Sequence, residues 1–180
     1  VDKATLFVSV VPTATSITYL DELSTSTLTN STVTNALGSV IAGVFEWTSG
    51  TDKPAVDAGP QSVTFNPDAN DASYNALTTN VSVTVAKADI TVENAPTADA
   101  ITYLQEVTDS NLSGGSATNA VGDDVPGSYA WTTNTMPEVS VADYSVTFTP
   151  TDTTNYNDTV GVANLTVNQS DLFVVTAPTA

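Results

Sequence analysis

The sequence predicts an all-β chain made of two tandem β-sandwich domains, and three observations predict it. The first is an internal repeat. Pro12-Thr-Ala-Thr-Ser-Ile-Thr-Tyr19-Leu20, Asn35-Ala36 and Phe45-Glu-Trp47-Thr48 return as Pro96-Thr-Ala-Asp-Ala-Ile-Thr-Tyr103-Leu104, Asn119-Ala120 and Tyr129-Ala-Trp131-Thr132, at a constant offset of 84. The match then continues with small deletions, Val63-Thr-Phe65-Asn-Pro67 against Val146-Thr-Phe148-Thr-Pro150 and Tyr74-Asn75 against Tyr156-Asn157. A period this long is a whole domain rather than a solenoid turn. The second is periodicity: apolar residues alternate with polar ones, and no segment sustains a helical 3.6-residue pattern, so helix content is expected to be near nil. The third is spacing, since turn signals separate about seven short strands per unit, which is the pattern of a sandwich.

Taken in order, Lys3 to Val10 alternates and opens the first unit, and Lys87 to Val92 opens the second. A third copy, Leu172-Phe-Val-Val175, starts near the end of the chain. Pro12 and Pro96 stop the opening strands, because proline cannot donate to a ladder. Ser16–Tyr19 is a short strand closed by the acidic turns Asp21-Glu22 and Gln105-Glu106. Leu28 to Ala36 reads as one threonine-rich strand; its counterpart carries Gly114-Gly115, which predicts a bulge or sharp bend. Gly43-Val-Phe45-Glu-Trp47 and Gly127-Ser-Tyr129-Ala-Trp131 each place an aromatic pair on one strand face. Gln61 to Phe65 and Tyr144 to Phe148 are alternating strands, each followed by a proline at Pro67 or Pro150. Val81 to Val85 and Ala163 to Val167 close the units. The domains are therefore placed at residues 1–88 and 89–170, with 171–180 as the opening strand of a third repeat or a strand joining subunits.

Composition limits the function. A hydrophobic content of 41% supports a folded core rather than disorder. Twenty acidic residues face only three lysines and no histidine, for a net charge of −17. The imbalance is steepest after residue 88, where twelve carboxylates meet no base. Such a field repels phosphate backbones and anionic membranes, so neither nucleic acid nor a membrane surface is an expected partner. Cations, or solubility in a salty medium, fit better. No apolar run is long enough to span a bilayer, and no signal peptide is visible. A start at Val1 suggests a processed product or an excised fragment.

Asp152-Thr-Thr-Asn-Tyr156 resembles the Asp-x-Ala-x-Tyr tyrosine corner of immunoglobulin domains, and Asn70-Asp-Ala72-Ser-Tyr74 is its partial copy. The plainer reading is a core tyrosine after a polar turn, and both readings give a sandwich. The whole set is similar to the immunoglobulin-like tandem repeats of large bacterial surface proteins and adhesins: Ala-Ile-Thr-Tyr103, Leu112-Ser-Gly-Gly-Ser116, Val125-Pro-Gly-Ser-Tyr-Ala-Trp131, Val146-Thr-Phe-Thr-Pro-Thr-Asp-Thr-Thr-Asn-Tyr156 and Leu165-Thr-Val-Asn168. The resemblance covers nearly all of residues 1–170. It departs where such repeats often have glycine after the tyrosine, here Leu20 and Leu104, and where they close on a lysine, kept as Lys87 but replaced by Gln169. It implies two tandem immunoglobulin-like β-sandwiches with an extracellular, mostly structural role, and it supplies no catalytic residues.

The chemistry agrees with that role. Without histidine or cysteine, the usual nucleophile–base pairs and zinc sites cannot be built. The carboxylates sit in turns beside small polar residues rather than beside the aromatic lining of a glycosidase cleft. No enzyme is expected. The aromatic pairs Phe45/Trp47 and Tyr129/Trp131 admit a sugar-stacking platform, but a tryptophan on this strand of such a sandwich fills the core, and that is the expectation. Calcium is the one candidate cofactor, because hard cations take oxygen ligands. Its candidate ligands are Asp89 and Glu93 at the junction of the units, the densest acidic turn Asp123-Asp124, and Asp171, which repeats Asp89. The alternative is a solvated acidic surface. A Lys–Asn isopeptide bond is impossible in residues 89–168, which lack lysine, and in the first unit Lys3, Lys53 and Lys87 flank strands or lie in a loop. Asn30, Asn80, Asn111, Asn157, Asn164 and Asn168 begin Asn-x-Ser/Thr sequons, a pattern common by chance in so threonine-rich a chain. The joint Val85-Ala-Lys87-Ala-Asp89 has neither glycine nor proline, which predicts a stiff connection. The expected function is a stiff spacer in a stalk, filament or adhesin, contacting neighbouring repeats or identical subunits. The alternative is a binding or assembly module, either calcium-stabilised or joined by strand addition.

Overall fold

The computed structural model describes residues 2–68 and 73–172, and the chain divides into two compact units, Val1–Ala88 and Asp89–Ala180. Each is an immunoglobulin-like β-sandwich. In the first unit the strands are β1 Leu6–Val10, β2 Thr13–Ala14, β3 Ile17–Thr18, β4 Leu28–Thr29, β5 Thr32–Asn35, β6 Gly43–Trp47, β7 Gln61–Pro67, β8 Leu77–Val81 and β9 Val85–Ala86. In the second they are β10 Ile90–Asn94, β11 Thr97–Ala98, β12 Ile101–Thr102, β13 Leu112–Ser113, β14 Ser116–Asn119, β15 Gly127–Trp131, β16 Ser140–Pro150 and β17 Thr159–Asn168.

The second unit shows the architecture most clearly. One layer pairs β10 with β14 and β11 with β13, both antiparallel. The other is a four-stranded sheet in the order β12-β17-β16-β15. Its run from β15 to β17 is the C-F-G succession of an immunoglobulin sheet. The chain passes from β15 straight to β16, so the other layer is narrow. Alternation decides which side chains meet between the layers. Val146, Phe148, Leu165 and Val167 point inward from β16 and β17, and all four are buried. Phe148 belongs to one cluster, and Leu165 and Val167 to another. Ile90, Ala117, Val125 and Phe148 pack with Tyr129 and Tyr156. Ile101, Val107, Leu165 and Val167 pack with Trp131 and Tyr144. The first unit repeats both, around Leu6, Val33 and Phe65 and around Ile17, Leu23 and Val85.

Two local expectations change. The threonine-rich strand from Leu28 to Ala36 is broken into β4 and β5 at Asn30, whose φ is 57°. The closing strand Val81 to Val85 is also broken. β8 ends at Val81 and β9 begins at Val85, whereas β17 runs unbroken. The cause lies on the partner strand. β16 begins at Ser140, and its first four residues pair with Asn164 to Val167. The same four places in the first unit are Asp57-Ala-Gly59-Pro60, with Asp57 at φ 63° and Gly59 at φ 80°. Left-handed backbone and a residue without an N–H cannot continue a ladder, so Ser82 to Thr84 are left outside it. A 3₁₀ turn forms in each unit at Leu23–Thr25 and Val107–Asp109, burying Leu23 and Val107 against the core.

The two leucines that depart from the glycine expected by resemblance occupy left-handed backbone, Leu20 at φ 81° and Leu104 at φ 78°. Each is the third residue of a turn closed by a backbone bond, Asp21 N–H to Thr18 C=O and Gln105 N–H to Thr102 C=O, both at 3.0 Å. This is a type II turn, whose third position favours glycine. Leu104 is 65% exposed, so it gains little from burial. Leu104→Gly removes a Cβ strain of about 1–2 kcal/mol and gives back up to about 1 kcal/mol in chain entropy. The expected net gain is about 0.5 kcal/mol, read from the urea midpoint of unfolding.

Candidate functional site: the aromatic strands and the acidic turns

The aromatic strand is held the same way in both units. Trp131 is half-buried, with its indole N–H donating to Ser110 C=O at 2.8 Å, and Trp47 donates to Ser26 C=O at 2.9 Å. Both serines are buried, and their hydroxyls donate onward to Asp99 C=O and Thr15 C=O. Trp131 also meets Tyr144 edge-on, with centroids 6.5 Å apart. The tryptophans therefore pack on the core as expected, but along its margin rather than at its centre. In the first unit Phe45 and Trp47 line a shallow groove of about 430 Å³ with Ser24, Ser26, Leu28 and Glu46.

The units differ at the other end of this strand. Tyr129 replaces Phe45, and its hydroxyl donates to Ser116 C=O at 3.1 Å. Gly115 makes that possible: a Cβ there would sit 2.7 Å from the Tyr129 ring and 3.0 Å from the Pro96 nitrogen, at φ 83°. Burial pushes the Tyr129 phenol above its usual pKa. The glycine pair opens a cleft of about 420 Å³ between β13–β14 and β15, with Asp124, Ser113 and Ser128 among its lining.

Sequence reading singled out neither Asn35 nor Asn119 for a role. Asn119 is buried; its Oδ1 accepts from the N–H groups of Val121 and Asp123 at 3.1 and 2.9 Å, and its Nδ2 donates to the Tyr156 hydroxyl at 3.3 Å. Asn35 does the same for Leu37, Ser39 and Tyr74. The clue was present, because asparagine at the same place in both copies, just before a turn, is the Asx-turn signature. It also changes the tyrosine-corner reading. In immunoglobulin domains that hydroxyl bonds to nearby backbone. Here the loop joins two adjacent strands of one sheet, β16 and β17, so its tyrosine reaches an asparagine on the opposite layer.

Several carboxylates act singly as acceptors, some within their own turn and others from asparagines far along the chain, as Glu46 does from Asn66 and Asp143 from Asn164. Asp21 caps the Thr18 N–H, Asp109 the Glu106 N–H and Asp152 the Asn155 N–H. Among the proposed calcium ligands, Asp89 accepts from Asn157 Nδ2 at 2.8 Å. Glu93 is exposed on β10, and Asp123 and Asp124 are exposed in the turn before β15. Asp171 is exposed after β17. Among the described residues no three acidic side chains gather as a metal would need. Sodium chloride is expected to raise the melting temperature by screening, and calcium at matched ionic strength to raise it equally. A larger rise with calcium would show that one of these turns holds the ion. The Lys3 ammonium meets the Tyr74 carbonyl at 3.2 Å. The sequon amides of Asn30, Asn111, Asn157 and Asn164 all donate within the fold.

No family model and no curated protein matches the chain. Among solved structures it is similar to immunoglobulin domains 1–5 of Sidekick-1, at 10% identity and a TM-score of 0.27, over 92% of this chain and 40% of that one. At that score the immunoglobulin-like character rests on the strand order within each unit. No helix among the described residues is long and apolar enough to cross a membrane.

Proposed function

We propose that the chain is part of an extracellular stalk, filament or adhesin, in which each unit is a load-bearing, non-enzymatic spacer between neighbouring repeats or identical subunits. One observation carries this reading. In each unit an early strand lies parallel to the last one: β3 beside β9 and β12 beside β17. Tyr19 N–H bonds to Ala86 C=O and Tyr103 N–H to Asn168 C=O, both at 2.8 Å. Tension between a unit's ends pulls such a pair in opposite directions along its length. The bonds are then loaded in shear and must yield together with the burial of Ile17 and Val85, or of Ile101 and Val167. A hairpin pulled at its open end yields one bond at a time. Forced unfolding is governed by this kinetic barrier rather than by equilibrium stability.

Stretching the chain from both ends by single-molecule force spectroscopy is expected to give two discrete unfolding events, one per unit. Smooth lengthening without force peaks would oppose a load-bearing role.

A further inference from the structure

We propose that β15 is a docking edge for an extended segment of a cationic partner protein, which adds to the sheet as a fifth strand. This goes beyond the spacer reading and does not depend on it. Among the described residues β15 ends its sheet, paired only with β16. The phase of its backbone is fixed at both ends: Thr132 N–H donates to Ser145 C=O at 3.0 Å, and Thr151 N–H donates to Pro126 C=O at 2.8 Å. Alternation in an antiparallel ladder then turns the N–H and C=O groups of Gly127, Tyr129 and Trp131 toward the open edge. Proteins usually blunt such edges with lysine, proline, charge or a bulge. Gly127-Ser-Tyr-Ala-Trp131 carries none of these, and its register with β16 is unbroken. The edge borders the cleft of about 420 Å³ that Gly114 and Gly115 leave open. A strand laid there gains main-chain bonds on one side and room for alternate side chains.

Charge selects the occupant. Asp124 lines the cleft, Asp123 adjoins it, and Glu106 and Asp109 stand on the turn whose buried Ser110 accepts the Trp131 indole. Residues 89–180 contain no base to offset them. A second copy of this chain, at −17, is repelled. A strand flanked by lysine or arginine is attracted.

The test uses the intact chain and a synthetic probe, Lys-Lys-Thr-Val-Thr-Val-Thr-Val-Lys-Lys, with a second peptide in which glutamate replaces lysine. The lysine peptide is expected to shift and protect the amides of Gly127, Tyr129 and Trp131 in nuclear magnetic resonance and hydrogen exchange. The glutamate peptide is expected to bind at least about tenfold more weakly. N-methylation of the alternate peptide residues that face β15 is expected to abolish binding, and methylation of the other set to spare it. No binding at millimolar peptide, equal binding of the two peptides, or indifference to methylation would each overturn the proposal. So would self-association through the same amides without peptide, which would assign the edge to a second copy.

Discussion

Replacing Trp131 with alanine is expected to destabilise the second unit by about 3 kcal/mol, at the lower end of the range for tryptophan truncation because the side chain is half-buried. Two losses add. The cluster of Ile101, Val107, Leu165 and Val167 loses its cover. The Ser110 carbonyl also loses the indole donor at 2.8 Å, which leaves a shielded acceptor unpaired. Trp47→Ala is expected to act alike in the first unit through Ser26. Urea unfolding followed by circular dichroism measures both. An unchanged midpoint for Trp131→Ala would show a tryptophan standing clear of the core and would revive the sugar-stacking platform.

Gly127→Ala is expected to cost about 2–3 kcal/mol by overpacking. A Cβ there would run into both the Phe148 ring and the Thr149 carbonyl oxygen. The ring can turn only at the expense of its contact with Tyr129, 4.9 Å between centroids, and the carbonyl belongs to the ladder itself. A Cβ on Gly43 would run into Phe65 and Asn66 in the same way, so Gly43→Ala serves as an independent repeat of the measurement. Wild-type stability of either variant would mean that β15 or β6 sits farther from its neighbour than described.

Much of this was legible in the sequence because it depends on spacing. Period 2 put Val146 and Phe148 on the buried face, and the offset of 84 predicted that Trp47 and Trp131 would make the same contact. What stayed hidden depends on pairing. The break between β8 and β9 is caused by Gly59 and Pro60 on the partner strand, and nothing within Val81 to Val85 records it. The double role of Asn119 needs Tyr156, 37 residues away, to be brought across the layers. Leu104 reads in the sequence only as a departure from the glycine of the repeats it resembles; its left-handed φ of 78° belongs to the backbone and is not recorded in the residue type. The acidic residues stand out in the sequence by density, whereas the fold uses them one at a time as acceptors, Asp21, Asp109 and Asp152 within their own turns and Asp89 from the distant Asn157. The strand expected at Leu172 to Val175 lies outside the described residues from 173 onward.

The load-bearing role is tested most directly by changing the direction of pull on one unit. Attachment at Asp89 and Asn168 loads β12 against β17 in shear. Attachment at Ser140 and Asn168 separates β16 from β17 at the end where Ser140 pairs with Val167, opening the ladder one bond at a time. The account predicts a clearly higher unfolding force for the first geometry. Equal forces, or a lower force for the first, would contradict it.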